Sequence, residues 1–475
     1  MKMKNGGINP YLPGWEYVPD GEPHVFGDRV YIYGSHDRFG GYAFCLNDYV
    51  CWSAPVDDLT DWSYEGVIYT RKEMPHNEDG SRCLYAPDVT KGSDGRYYLY
   101  YAPDGVSVIS VAVCDTPAGR YEYYGDVHYP DGTPLGSREG DEYQFDPGVL
   151  TEGDTTWLYS GFCPPMLSTR TGAQAIRLDK DMLTVTREPV IIVPSAQRAI
   201  GTTFEGHGFF EAGSIRKIGE LYYFIYSSEL SHELCYAVSA APDRGFVYGG
   251  TLVDNGDLGL SKIARYFTGN NHGSIEKIHG RWYVFYHRHT NSSSFCRQGM
   301  MEPVKILGDG RIPQAEMTSC GPNGGPLPGK GEYPAYAACN LFMLREPDVD
   351  KQSGLNPFPC ITQDGPDLGA ETAEQESAYI RNMTPGVTAG FKYFCCKNVK
   401  RISVKTRGMC YGGGLQVSLE PEGEILGTVP AGGGNEWRWS SADICVPDGV
   451  HALYFQMSGY GSLSFAAFCL ETAEE

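Results

Sequence analysis

An ionisable side chain recurs ten to twelve residues before each of five aromatic residues that anchor similar segments of the sequence. The five pairs are Asp20 and Tyr31, Asp88 and Tyr98, Asp146 and Trp157, Glu211 and Tyr223, and His272 and Tyr283. A single acid at such a position often serves only to cap a turn. Five consecutive matches at one offset indicate instead a cluster of functional groups.

Converging carboxyl groups can divide the acid and base steps of one reaction. One protonates a leaving oxygen, a second activates water or attacks carbon, and a third raises the pKa of the acid by like-charge repulsion. The sequence shows no Ser or Cys nucleophile motif and no phosphate-binding loop, and its many Tyr and Trp rings can stack on sugars. These features are typical of glycoside hydrolysis.

The elements that position these groups can be read from the aromatic segments. The segments are GDRVYIYGS, DGRYYLYYAP, GDTTWLYSGF, GELYYFIYSS and GRWYVFYHR, with anchors 67, 59, 66 and 60 residues apart. Each interval has room for about four short strands and their turns. The spacing predicts a five-bladed β-propeller, whose innermost strands surround a channel and bring equivalent positions together. The 60 Gly, 31 Pro and 34 Tyr residues also favour an all-β fold.

The ordered motifs resemble those of glycoside hydrolase family 43. They are an Asp before VYIYGS, then APDV, FDP, a Glu before a Tyr-rich strand, and HGS followed by WYVFYHR, within about residues 8 to 315. The resemblance implies a five-bladed propeller with inverting β-xylosidase, α-L-arabinofuranosidase or arabinanase activity. It makes Asp20 the general base, Glu211 the general acid, and Asp146 the residue that tunes the pKa of the acid and orients it.

Other acids compete for these roles. The repeat offset favours Asp20 over Asp28, which is interpreted as a solvated turn residue, and leaves Glu22 open as a partner of the site or an exposed group. The family usually has Asp-Pro at the first site. In this sequence the acid that precedes a proline is Glu22, in Glu22-Pro23, but the offset still favours Asp20. Glu205 lies 18 residues before Tyr223, which is too far for the repeat.

Further residues are candidates for substrate contact. Asp88 matches a family motif near the channel, as a sugar contact or as a structural residue. One of Arg288 and Arg297 is expected in the sugar pocket, because guanidinium groups suit sugar hydroxyls and carboxylates. The aromatic residues beside the channel motifs, which either stack on a sugar or pack in the core, are Trp15, Phe39, Phe162 and Phe209.

His272 resembles the family histidine that lies on the propeller axis beneath the sugar and faces a calcium ion with its water shell. Because calcium prefers oxygen ligands, a water-mediated contact is expected rather than a direct bond to the imidazole. No organic cofactor is expected.

Charge and cysteine content restrict the partners and the compartment. A net charge of −21 argues against nucleic acid and anionic membranes, and leaves a neutral oligosaccharide from xylan or arabinoxylan as the expected partner. The sequence has no apolar leader and no run of 18 apolar residues, so we expect no signal peptide and no membrane span. The 15 cysteines show no zinc-ligand spacing, so reduced thiols and a cytoplasmic location are expected.

The character of the sequence changes after residue 318, the predicted end of the propeller. Residues 319–335 are rich in Gly and Pro, which predicts a linker. Over 336–475, apolar and polar residues alternate between Gly-rich turns, which predicts a jelly-roll-like β-sandwich that resembles carbohydrate-binding module family 6. Trp437 and Trp439 lie on one face of a strand, as core residues or as glycan contacts. The unit is expected to buttress the propeller or to wall the active site.

Together these features predict an inverting exo-glycoside hydrolase that removes α-L-arabinofuranosyl and, as a second activity, β-D-xylosyl residues from hemicellulose-derived oligosaccharides. The lack of a secretion signal favours short substrates. Endo-arabinanase activity is an alternative that requires an open cleft. A non-catalytic glycan-binding propeller is disfavoured, because such a protein should have lost at least one of the three acids.

Overall fold

The computed structural model describes residues 2–4, 7–75, 77–343, 358–366 and 378–472. The regular elements in these ranges are almost entirely β-strands, which confirms the predicted all-β fold. The exceptions are the helix α1 (Ala196–Ala199) and the 3-10 turns at Arg71–Glu73, Gly321–Asn323 and Ala335–Ala337. Within the described ranges, no helix is both long and apolar enough to cross a bilayer.

Five antiparallel sheets form the blades of a propeller. Blade 1 contains β1 (Lys2–Lys4), β2 (Glu22–Phe26), β3 (Arg29–Tyr33), β4 (Tyr49–Pro55) and β5 (Asp61–Tyr69). Blade 2 contains β6 (Leu84–Lys91), β7 (Tyr97–Pro103), β8 (Ser110–Cys114) and β9 (Glu122–Asp126). Blade 3 contains β10 (Gly148–Glu152), β11 (Thr155–Ser160), β12 (Gly172–Leu178) and β13 (Val190–Pro194). Blade 4 contains β14 (Phe209–Ile218), β15 (Leu221–Ser228), β16 (Glu233–Ser239) and β17 (Val247–Asp254). Blade 5 contains β18 (Ser274–Ile278), β19 (Arg281–Thr290) and β20 (Ser293–Val304).

The aromatic repeat in the sequence corresponds to the second strand of each blade, counted outward from the channel. These strands are β3, β7, β11, β15 and β19, and each pairs with an innermost strand, β2, β6, β10, β14 or β18. Their rings fill the space between neighbouring blades, where Tyr159 of β11 packs on Phe224 of β15 with ring centroids 5.7 Å apart. The repeat is therefore a pattern of blade packing, and the acids before it lead into the innermost strands.

The N-terminal segment closes the ring by binding the last strand of blade 5. The Nδ2 group of Asn9 donates to the Met301 carbonyl at 2.8 Å, and Asn9 Oδ1 accepts from the Met301 N–H at 3.1 Å. The Tyr11 N–H donates to the Gly299 carbonyl at 3.3 Å. Blade 5 has three strands, whereas blades 2 to 4 have four. The N-terminal segment lies beside β20, the last strand of blade 5, in the place that a fourth strand occupies in the other blades.

The remaining described residues form two facing sheets, as predicted for a β-sandwich. One sheet contains β21 (Leu327–Pro328), β23 (Asn340–Met343), β26 (Val387–Cys396), β28 (Gly414–Ser418), β29 (Ile425–Pro430) and β31 (Gly449–Met457). The other contains β22 (Gly331–Pro334), β24 (Cys360–Thr362), β25 (Tyr379–Met383), β27 (Val399–Tyr411), β30 (Gly434–Asp443) and β32 (Tyr460–Thr472). Residues 344–357, 367–377 and 473–475 of this predicted domain lie outside the described residues.

Two details of the second unit differ from expectation. The predicted linker, 319–335, supplies β21 and β22 to the two sheets, so this segment is part of the sandwich and not only a connection. Trp439 is 43% exposed and Trp437 packs against Tyr379, with ring centroids 5.2 Å apart. These two tryptophans belong to a face at the surface of the sheet rather than to the buried core.

The second unit packs directly on blades 4 and 5. One continuous cluster of buried apolar side chains includes Ile225 of β15 and Phe391 of β26. In the same region, the buried Arg288 of β19 donates to the carbonyl oxygens of Tyr336 at 2.6 Å and Ala338 at 2.7 Å. Because removal of the sandwich would expose apolar side chains and leave the buried Arg288 with Gln298 as its remaining described hydrogen-bond acceptor, the unit buttresses the propeller.

Candidate active site

A cavity of about 480 Å³ contains four of the five ionisable residues that the repeat predicts at the end of the channel. Asp20, Asp146, Glu211, His272 and Arg297 all line it, although Asp20 and Arg297 are 277 positions apart in the sequence. The structure thus brings together the three acids, the predicted metal-facing histidine and one of the two candidate arginines.

The backbone turns sharply beside each of the three acids. Asp20, just before β2, has a φ of 57°, and Asp146, just before β10, has a φ of 47°. In β14 the residue with positive φ is Ala212, at 68°, and the pairing with β15 is irregular on both sides of Glu211. Non-glycine residues rarely adopt this conformation because it is costly. Its recurrence in three blades indicates that the turn is needed to direct the carboxyl groups into the cavity.

Nitrogen atoms of two basic side chains lie beside the carboxylate of Asp20. Arg297 Nη1 donates to its two carboxylate oxygens at 2.9 and 3.2 Å, and His287 Nδ1 lies 3.2 Å from Oδ1. Burial opposes ionisation, but the charge of Arg297 and the contact with His287 outweigh it and hold the pKa of Asp20 well below its usual range. Asp20 is therefore ionised at neutral pH, as a general base must be.

Glu211 has the opposite surroundings. Among the described residues, no group hydrogen-bonds to its carboxyl. Burial raises the pKa of Glu211 to about 8, the negative charge of Asp20 adds to the rise, and Arg297 opposes it. Glu211 is therefore protonated at neutral pH, as a general acid must be.

Asp146 and His272 lie between these two groups. Asp146 Oδ2 accepts the N–H of Ala212 at 3.2 Å, next to Glu211 in the chain. His272 Nδ1 lies 3.6 Å from Asp146 Oδ2 and 3.9 Å from Asp20 Oδ1. Burial and then the carboxyl groups of Glu211 and Asp20 raise the pKa of Asp146, whereas burial lowers the pKa of His272 to about 4. The imidazole of His272 is thus neutral near pH 7.

Aromatic rings form much of the remaining wall. They belong to Phe44, Tyr85, Tyr143, Phe145, Phe162 and Phe210. The sequence analysis identified only Phe162 of these six. Phe145 and Phe210 immediately precede Asp146 and Glu211, a signal that could have found them, whereas the other three have no such marker.

Three of the predicted aromatic contacts lie outside this wall, which corrects the prediction. Trp15 packs on Trp52 in the core of blade 1, with ring centroids 6.3 Å apart, and Phe39 stacks on Tyr17 at 5.7 Å. Phe209 is fully buried between blades 3 and 4. Proximity to a motif in the sequence did not reveal which side of the backbone each ring would occupy.

Asp88 and Arg288 also do not line the cavity, contrary to the prediction of substrate contact. Asp88 Oδ1 lies 2.6 Å from His24 Nε2, and its Oδ2 accepts the N–H of Val149 at 2.7 Å. It therefore joins the innermost strands of blades 1, 2 and 3, as its structural alternative requires. Because Arg288 binds the second unit, Arg297 is the arginine of the pocket.

The rival acids have other partners. Glu22 is buried, and its Oε2 accepts a hydrogen bond from Arg216 Nη2 at 3.0 Å. Glu205 is exposed and bonds within its own loop, and Asp28 is exposed in the turn between β2 and β3. None of these three acids lines the cavity.

A calcium ion bound directly to His272 does not fit the groups beside that side chain. The two nearest carboxylate oxygens, at 3.6 and 3.9 Å, belong to two of the three acids, whereas calcium requires six to eight oxygen ligands. A second candidate consists of Glu22, His24 and Asp88, whose possible ligand atoms lie within 4.8 Å of one another and include two carboxylates, so that water molecules would have to complete the coordination shell. The Oε1 atom of Glu22 is buried without a hydrogen-bond partner, which fits a hard cation.

Asp37, which binds Arg297, and His287, which lies beside Asp20, are two residues near the base that the sequence analysis did not identify. The carboxylate of Asp37 accepts from Arg297 Nε at 2.8 Å and from Arg297 Nη2 at 3.0 Å. A second offset in the sequence could have revealed Asp37, since ionisable residues lie six positions after the aromatic anchor in four of the five repeats. These residues are Asp37, Asp104, Glu229 and His289.

Comparisons with known proteins agree with this geometry. The model of glycosyl hydrolases family 43 matches residues 9–312. A xylosidase/arabinosidase of Thermoclostridium stercorarium is 59% identical, over 99% of this chain and 100% of that protein.

Solved structures give the same fold. An arabinoxylan arabinofuranohydrolase of Bacillus subtilis, in complex with cellotetraose, is similar over 99% of both chains, with a TM-score of 0.52 and 20% identity. A β-xylosidase/α-arabinofuranosidase from a compost metagenome, in complex with xylotriose and in a calcium-free form, has a TM-score of 0.51 and 25% identity. That match covers 65% of this chain and 97% of the other.

Proposed function

The chain belongs to glycoside hydrolase family 43, and from this premise we propose that it is an inverting exo-enzyme that removes α-L-arabinofuranosyl and β-D-xylosyl residues from hemicellulose-derived oligosaccharides. The observation that carries the proposal is the contrasting surroundings of two carboxyl groups in one cavity: Asp20 accepts hydrogen bonds from Arg297, whereas no described group hydrogen-bonds to the carboxyl of Glu211. These surroundings lower the pKa of Asp20 and raise that of Glu211. The similarity to a xylosidase/arabinosidase supports the choice of sugars. The volume of about 480 Å³ is that of an ordinary small-ligand pocket and supports the release of terminal units.

In the proposed reaction, the terminal sugar binds against the aromatic wall with its anomeric carbon between Glu211 and Asp20. Glu211 gives its proton to the glycosidic oxygen as the bond from that oxygen to the anomeric carbon breaks. Asp20 accepts a proton from the water whose oxygen attacks the same carbon from the opposite face. The configuration is thereby inverted, and both carboxyl groups return to their starting states by exchange with solvent.

The neighbouring residues assist by orientation and charge. Asp146 fixes the backbone beside Glu211 through the N–H of Ala212. Arg297 keeps Asp20 ionised and donates to it through one nitrogen, Nη1. Neutral His272 lies between Asp20 and Asp146, where it can accept or donate one hydrogen bond without adding charge.

The direct test is release of sugar from 4-nitrophenyl α-L-arabinofuranoside and 4-nitrophenyl β-D-xyloside, for the wild type beside Glu211→Gln. We expect hydrolysis of both by the wild type and a large loss in the variant. Proton NMR of the fresh product distinguishes inversion from retention. Inactivity on both glycosides with cleavage of linear arabinan would replace the exo-enzyme by an endo-arabinanase, and glycan binding without cleavage would leave a non-catalytic propeller.

A calcium ion is proposed below His272, at Glu22, His24 and Asp88. Bound there, it would supply positive charge beneath the cavity and neutralise the acidic cluster. Removal of calcium by a chelator should lower the melting temperature, and Glu22→Gln should abolish that response. A melting temperature that is insensitive to both calcium and chelator would contradict this site.

A cytoplasmic location is also proposed. All 15 cysteines are free thiols, and ten of them are buried, which supports a reducing compartment. Fractionation of the native cells with an antibody against the protein tests this location. Recovery of the protein outside the cytoplasm would contradict it.

A further inference from the structure

Asp37 is a fully buried carboxylate that lies outside the cavity and contacts it through one residue. Its Oδ2 accepts from Arg297 Nε at 2.8 Å and from the backbone N–H of Arg297 at 3.1 Å. Its Oδ1 accepts from Arg297 Nη2 at 3.0 Å and from the Cys45 N–H at 3.0 Å. One carboxylate thus binds both the side chain and the main chain of Arg297.

This pairing divides the donors of the guanidinium group between two acids. Asp37 takes the edge formed by Nε and Nη2 in the side-on, two-bond geometry that a planar guanidinium favours. Asp20 receives only Nη1, at 2.9 and 3.2 Å from its two oxygens. Because the guanidinium is rigid, occupation of one edge fixes the direction of the remaining nitrogen.

The division also affects charge. Arg297 and Asp37 form a pair that is neutral overall, so the negative charge of Asp20 is not cancelled by an arginine of its own. Without Asp37, the guanidinium would have Asp20 as its only carboxylate partner and could rotate to offer it a complete edge. Asp20 would then be a weaker base, and fewer of its lone pairs would be available to water.

The backbone of Asp37 is fixed as well. Its N–H donates to the Tyr17 carbonyl at 3.0 Å, and its carbonyl accepts from Asn47 Nδ2 at 2.9 Å. Tyr17 lies three residues before Asp20 in the same segment. Asp37 therefore connects the loop that carries the base to the strand that carries its arginine.

We propose that Asp37 is a positioning residue that holds Arg297 by one edge, so that a single nitrogen contacts Asp20 and the base remains available to the attacking water. This inference rests on the proposed function, since it assigns Asp20 the role of base. Asp37 touches neither the substrate nor the reacting atoms.

The test is a double-mutant cycle of Asp37→Asn and Arg297→Lys, assayed on the aryl glycoside that the wild type hydrolyses best among a panel of pentosides and hexosides. We expect Asp37→Asn to lower kcat about 10- to 100-fold, the scale that corresponds to loss of a hydrogen bond to a charged group, with little change in KM. Lysine has no edge for Asp37 to hold. Added to Arg297→Lys, Asp37→Asn should therefore cost less than about threefold, which is non-additive behaviour.

Glu16→Gln is the matched control. Glu16 is also a buried carboxylate of the blade 1 region, and it accepts from the Tyr17 N–H at 3.0 Å and from Trp52 Nε1 at 2.9 Å. Its removal should lower the melting temperature as much as Asp37→Asn does, but should leave kcat within about threefold of the wild type, because its hydrogen bonds to Tyr17, His36 and Trp52 reach neither Arg297 nor Asp20. Asp37→Ser is the second variant if Asp37→Asn does not fold.

The outcomes separate this inference from the proposed function. A wild type that is inactive on the whole panel overturns both. An active wild type whose Asp37 variants keep the wild-type kcat, or whose two mutational effects multiply, overturns only the role of Asp37. Failure of both Asp37 variants to fold, with Glu16→Gln folded, makes Asp37 a residue of the fold and overturns the inference too.

Discussion

The two sides of the cavity present the same functional group in opposite surroundings. On the blade 1 side, Asp20 accepts hydrogen bonds from Arg297 and lies beside His287, and its pKa is lowered. On the blade 4 side, Glu211 lies beside Phe210 and has no hydrogen-bond donor among the described residues, and its pKa is raised. The difference teaches that the partners of a carboxyl group, not its residue type, decide whether it works as base or acid.

The two sides also differ in how they are built. The base depends on Arg297 and His287, which lie 277 and 267 positions away from it in the sequence. Asp37 and Arg297, 260 positions apart, are also joined across the ring closure. The acid depends on local features, namely the irregular strand around Glu211 and the positive φ of Ala212. Changes far from the cavity should therefore affect the base more than the acid.

The largest effect should come from removing each group in turn. Asp20→Asn should lower kcat about 10³- to 10⁴-fold on every substrate, because water always needs a base. Glu211→Gln should cost as much on xylo- and arabino-oligosaccharides, but far less on 2,4-dinitrophenyl glycosides, whose leaving group needs no proton. Rates of both variants with both classes of leaving group check this, and equal sensitivity of the two variants would contradict the assigned roles.

The pH dependence of kcat/KM should show the same asymmetry. The pKa of Glu211 is raised to about 8, so its protonated, active form should persist to that pH and be lost as the pH rises through it. The pKa of Asp20 is lowered, so its ionised form should persist well below the usual range of an aspartate and be lost only in strong acid. A profile measured from pH 3 to 10, with stability controls, should show the upper limb and no loss of activity at the acid end. An upper limb that begins near pH 6 would contradict the assignment of the acid, and a loss near the ordinary aspartate pKa of about 4 would contradict that of the base.

A smaller effect is expected from Phe210→Ala, which admits water beside Glu211. Because burial is the main cause of the raised pKa, the upper limb of the pH profile should move down by about one unit, the common scale of such shifts. The lower limb should stay in place. A shift of both limbs would mean that the two sides of the cavity are not independent, and Phe162→Ala, on the same aromatic wall, is the comparison variant.

The smallest effect should come from Tyr17→Phe. Tyr17 lies three residues before the base, Asp20, and its hydroxyl donates to Gln363 Oε1 of the second unit at 2.9 Å. Glu211, by contrast, has no described hydrogen bond to the second unit. Loss of one buried hydrogen bond should lower the free energy of unfolding by about 1 kcal/mol. Chemical denaturation measures this, and kcat should fall by less than about threefold, a change of well under 1 kcal/mol in the barrier.

The sequence was sufficient for the parts that repeat. A propeller blade is one local unit, so the offset from Tyr31 or Trp157 to the preceding acid is also a position in space, and it identified Asp20 and Asp146 correctly as cavity residues. The assignment of the aromatic segments to the second strands of the blades came from the structure. The offset did not predict whether a side chain near the end of a strand faces the cavity or the core of its blade. Trp15, for example, packs on Trp52 in the core.

Contacts between repeats were not predictable from spacing. Arg288 and Arg297 lie on adjacent strands of one hairpin, and only the packing of the second unit on Arg288 decides between them. Asp88 has the repeat offset, but hydrogen bonds to neighbouring blades hold it below the cavity. The position of a side chain in a ring of blades depends on which neighbouring blade or unit it hydrogen-bonds to or packs against. The residues that form these contacts are distributed over hundreds of positions in the sequence.

The closure of the ring by Asn9 has a consequence for biosynthesis. Asn9 and Met301 are 292 positions apart, so their hydrogen bonds cannot form until most of the chain has left the ribosome. Each blade is a meander of sequential strands that can form from neighbouring residues as it emerges. Asp20 and Arg297 can meet only after blade 5 has been made, and contacts so distant in sequence are slow to form. A nascent chain can therefore hold several finished blades while the catalytic base is still without its arginine.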